Sequence, residues 1–123
     1  MINWYFGWCS ILIAFITGAI LGMFFYRDDF LGGYSSFRRR ILRLGHIALA
    51  ALGMVNILYS QSNLSDESSL APSIASIGFI VGGVTMPGIC FLSAWKPGFR
   101  HLFFIPVTAL ISAVIETLRI GIP

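Results

Sequence analysis

Four apolar stretches, over residues 3–26, 41–60, 72–94 and 101–118, are each long enough to cross a hydrocarbon layer of roughly 30 Å at about 1.5 Å per helical residue. They predict an all-α fold, a polytopic membrane protein built as a bundle of four transmembrane helices. The connections are polar. RDDFLGGYSSFRRR carries a Gly32-Gly33 break, QSNLSDESSLA is acidic, and WKPGFR is a tight Pro-Gly turn.

Composition strengthens this reading. Hydrophobic side chains make up 57% and charged ones 11% of 123 residues, with a mean hydropathy of +0.86; soluble domains average about 45–50% and about 25%. The four spans use nearly the whole chain, so residues 1–123 form a single domain with no room for a separate soluble catalytic unit. The first span lacks a basic leading region and a small-x-small cleavage site, and it exceeds the usual ~7–15-residue apolar core of a signal peptide. It is expected to be retained.

Charge orients the spans. Of eight basic residues, Arg27, Arg38, Arg39, Arg40, Arg43, Lys96 and Arg100 belong to the first and third connections or the helix ends beside them, and Arg119 alone lies opposite. The positive-inside rule places those two connections in the cytoplasm, giving an N-out/C-out chain with Asp66 and Glu67 outside. Trp4, Tyr5, Trp8 and Tyr59 then form an outer aromatic belt, and Tyr26, Tyr34 and Trp95 an inner one. A bias this lopsided excludes dual topology. The formal charge of +3 is explained by anionic lipid at the cytoplasmic face, with Arg38, Arg39 and Arg40 as its anchors, and no nucleic-acid partner is expected.

Helix faces carry the remaining information. Ser10, Ala14, Gly18 and Gly22 recur every fourth residue in the first span, and Ala75, Gly78 and Gly82 repeat the device in the third, so both predict close helix packing. Pro87 removes a backbone donor and predicts a kink in the third helix that frees the Gly83 carbonyl. In the second span Arg43, His46, Ala50, Gly53, Asn56 and Ser60 share one face at 100° per residue, and in the fourth His101, Thr108, Ser112, Glu116 and Arg119 do the same. Both polar faces are expected to look into the bundle, because lipid cannot hydrogen-bond Asn56.

Candidate chemistry is sparse. Glu116 is the one acidic residue inside a span, a proton or cation site by type, but Arg119 three residues on explains it as an ion pair. His46 and His101 fall at similar depth near the cytoplasmic ends of their stripes. They form a candidate imidazole pair for a b-type haem, its propionates met by Arg39, Arg43 or Arg100; the competing reading is two interface anchors. Metal ligation is not expected, since two ligands are few and no cysteine or carboxylate completes the set. Cys9 and Cys90 sit near opposite faces, too far apart for a disulfide. Ser35 or Ser36 can cap the second helix, and Asn63-Leu64-Ser65 matches a glycosylation acceptor by pattern alone. No GxGxxG, P-loop, CxxC, HExxH or GxSxG occurs, and no enzyme is expected.

FRRRILRLGHIALAALGMVNILY and TMPGICFLSAWKPGFRHLFFIPV together resemble small four-span inner-membrane proteins of bacteria, a family to which no established activity attaches. The resemblance implies a multi-pass protein of the bacterial inner membrane. It departs from small multidrug exporters in lacking their early-helix glutamate. Three functions follow from the residues: a non-catalytic protein that associates with itself or joins a larger membrane complex, a haem-bearing electron-transfer subunit, or a small transporter or channel. The small-residue faces favour the first.

Overall fold

The computed structural model describes residues 2–62 and 70–121, side chains of residues 70–73 excepted. The Asn63-Leu64-Ser65 tripeptide, Asp66 and Glu67 lie outside the described residues. Four α-helices run in chain order: α1 (Ile2–Phe25), α2 (Phe37–Gln61), α3 (Leu70–Trp95) and α4 (Phe104–Gly121). A short 3-10 turn, Phe30–Gly32, and a 3-10 helix, Pro97–Phe103, occupy the connections at one end. There is no strand among the described residues, and all four helical segments are long and apolar enough to span a membrane.

α1 and α3 begin and end within two residues of the boundaries expected from sequence; the other two helices correct it. α2 starts at Phe37, four residues before the expected start, so the three arginines are helical. The cause is Ser36, whose Oγ accepts from the Arg39 amide at 3.2 Å and donates to the Leu31 carbonyl at 2.7 Å. Leu31, Gly32 and Gly33 enter that cap at φ of 53°, 85° and 94°, a left-handed run that the paired glycines make accessible. α4 starts at Phe104 and not at His101, which lies inside the 3-10 helix. Pro106 falls in the first turn of α4, where its missing donor would have no intrahelical partner.

The helices succeed one another side by side and do not close into a ring. α2 lies between α1 and α3, α4 packs on α3, and α4 does not run alongside α1. Buried residues make up 39% of the spanning windows of α2 and α3 but only 11% of those of the flanking α1 and α4.

Small residues set the contacts. A Cβ at Gly7 would stand 2.5 Å from the Gly53 carbonyl oxygen, so α1 and α2 meet backbone to backbone there. Gly45 receives Cys90 and Phe91 of α3, while Gly78 faces Ala113 and Ala109 of α4, and Gly82 faces Leu110. Two apolar clusters fill the remaining space: Tyr59, Ala75, Phe79 and Ala113 at one end, Ile41, Cys90 and Ala94 at the other. Pro87 is buried, and α3 continues as one helix through it to Trp95.

Candidate functional site

At the end away from the arginines, three helices share one polar knot. Asn3 Nδ2 donates to Asn56 Oδ1 at 2.8 Å and to the Ser76 carbonyl at 3.3 Å, and Ser76 Oγ donates to Asn3 Oδ1. Asn56 Nδ2 in turn donates to the carbonyls of Leu52 at 2.8 Å and Phe79 at 3.2 Å. Asn56 is fully buried and Asn3 is 4% exposed. Every side-chain amide donor in the knot has an acceptor, so the arrangement binds helices and offers no group to a ligand.

The small-residue stripe of α1 is shifted from its sequence reading. The buried line is Asn3, Gly7, Ser10 and Ala14. Gly18 continues it, since a Cβ there would stand 2.7 Å from the His46 ring, but Gly22 has open space around it and does not pack. Steps of four residues advance 400° on a helix, so each drifts 40° from the contact face and the third step has left it. On α3, Ala75, Gly78 and Gly82 do pack, against the neighbours already named.

At the basic end the arginines close helix termini. Arg38 Nε donates to the Ala94 carbonyl at 2.6 Å and Nη2 to Trp95 at 3.4 Å, at the end of α3. Arg39 Nη2 donates to the Phe25 carbonyl at 2.5 Å, at the end of α1, and its guanidinium lies 4.4 Å over the Phe25 ring. Cations at C-termini complement the helix dipole while supplying donors to orphaned carbonyls. Arg43 stands 4.6 Å over the Tyr34 ring. Arg40 and Arg100 are exposed.

The histidines do not meet. His46 is half-buried in the α1–α2 groove, its Nδ1 3.3 Å from Thr17 Oγ1. His101 is exposed on the 3-10 helix, beside Lys96, Phe99 and Leu102. They attend different helix pairs because α4 packs on α3, away from α1. Cys9 is exposed and Cys90 buried, both as free thiols.

The polar face of α4 is the largest departure from expectation. Pro106 and Ala113 are buried against α3, whereas Thr108 and Ser112 are exposed and point away from the bundle. The reason is packing: Gly78 and Gly82 admit the Ala109, Leu110 and Ala113 side of α4, which turns the opposite side out. The hydroxyls tolerate this by bonding their own helix, Thr108 Oγ1 to the Phe104 carbonyl at 2.8 Å and Ser112 Oγ to Ala109 at 2.9 Å. Farther along, Arg119 Nη2 stands 2.8 Å from Glu116 Oε2, with 67% of the arginine side chain and 23% of the glutamate side chain exposed. His101 leaves the stripe because the 3-10 helix breaks the 100° count.

Comparison of the chain with protein-family models, with curated proteins and with solved structures finds no match.

Proposed function

We propose that this chain is a non-catalytic, multi-pass protein of the bacterial inner membrane that associates with a second copy of itself through the outward face of α4. The observation that carries the reading is that α4 turns Thr108, Ser112 and Arg119 away from its own bundle, with the half-buried Glu116 paired to Arg119 at the edge of that face, where in a spanning chain lipid or another protein must cover them. Thr108 and Ser112 are small and four residues apart, so a second helix can approach closely there. Charge complementarity selects a copy of this chain. In a two-fold pairing of parallel α4 helices, Glu116 of each meets Arg119 of the other, the reciprocity that an isologous interface requires.

Both termini stand outside the cytoplasm in this reading, on the seven-to-one distribution of basic residues. Ser35→Cys in a Cys9→Ala, Cys90→Ala background should react with an impermeant thiol reagent only from the cytoplasmic face; reaction from outside refutes the orientation.

Co-expression of differently tagged chains tests the association. Glu116→Arg and Arg119→Glu each place like charges across the two-fold axis, so each should recover itself poorly from mild detergent. The mixed pair restores attraction and should be recovered several-fold better. Equal recovery of all pairs overturns the two-fold pairing, and recovery of a different membrane protein in place of the second copy makes the chain a subunit of a larger complex.

A further inference from the structure

We draw no further inference here: the strongest candidate, the open hollow of about 400 Å³ on the 3-10 helix between α3 and α4, lined by Lys96, Gly98, Phe99, His101 and Leu102, is a surface patch in which both polar side chains are exposed, and nothing in the structure shows what covers it.

Discussion

Asn3 and Asn56, 53 residues apart in sequence, share a 2.8 Å hydrogen bond that ties the first turn of α1 to the last third of α2. Asn56 reaches onward to the Phe79 carbonyl, so this one bond joins a chain of contacts across three helices. Asn56→Ala removes the bonds to Asn3 and Phe79 and leaves one proton of the buried Asn3 amide without its acceptor, at about 1–3 kcal/mol for such a group. Unfolding titration in mixed micelles should show that loss. A double-mutant cycle of Asn3→Ala with Asn56→Ala should return a coupling of about 0.6–1.7 kcal/mol, the range of interhelical hydrogen bonds in membranes. Strict additivity would remove the knot from the account.

The glycines divide into two groups. Gly7→Leu and Gly53→Leu force apart backbones that meet at 2.5–2.9 Å from the added Cβ, whereas Gly22→Leu enters open space. The first two should lower the unfolding midpoint strongly or prevent purification of folded protein, and Gly22→Leu should match the wild type within about 0.5 kcal/mol. A Gly22 variant as damaged as Gly53→Leu contradicts the contact line.

Ser36→Ala removes the cap that places the start of α2 and should cost about 1 kcal/mol. Ser35→Ala, exposed and one residue earlier, should cost nothing measurable. The same mixed-micelle titration compares the two, and equal costs contradict the assignment of the cap to Ser36.

The four helices are legible in the sequence because long apolar runs interrupted by polar turns have few other solutions. The start of α2 is not, because Arg38, Arg39 and Arg40 read as loop charge until Arg38 and Arg39 are seen reaching carbonyls at the ends of α3 and α1. Asn3 and Gly7 escape notice for a different reason: a stripe counted in strict fours from Ser10 drifts off the face that Asn3, Gly7, Ser10 and Ala14 share. For α4 the expectation that polar faces turn inward fails. Thr108 and Ser112 satisfy their hydroxyls locally, so they exert no pull toward the bundle, and the glycines of α3 decide which side is buried. Local hydrogen bonding is invisible to periodicity, and so is the choice between two faces that can each pack.

In the proposed assembly, protein covers the outward face of α4 in the membrane. Nitroxide labels at Ser112→Cys and at Val114→Cys, in the Cys9→Ala, Cys90→Ala background and a lipid bilayer, report it through their collision rates with dissolved oxygen. Both positions are exposed in the isolated chain and sit at nearly the same depth, about 3 Å apart along the helix axis. Ser112→Cys should show a low oxygen collision rate and Val114→Cys a high, lipid-like rate, with the difference abolished on dilution into excess detergent. Equally high rates at both positions in the bilayer would contradict it.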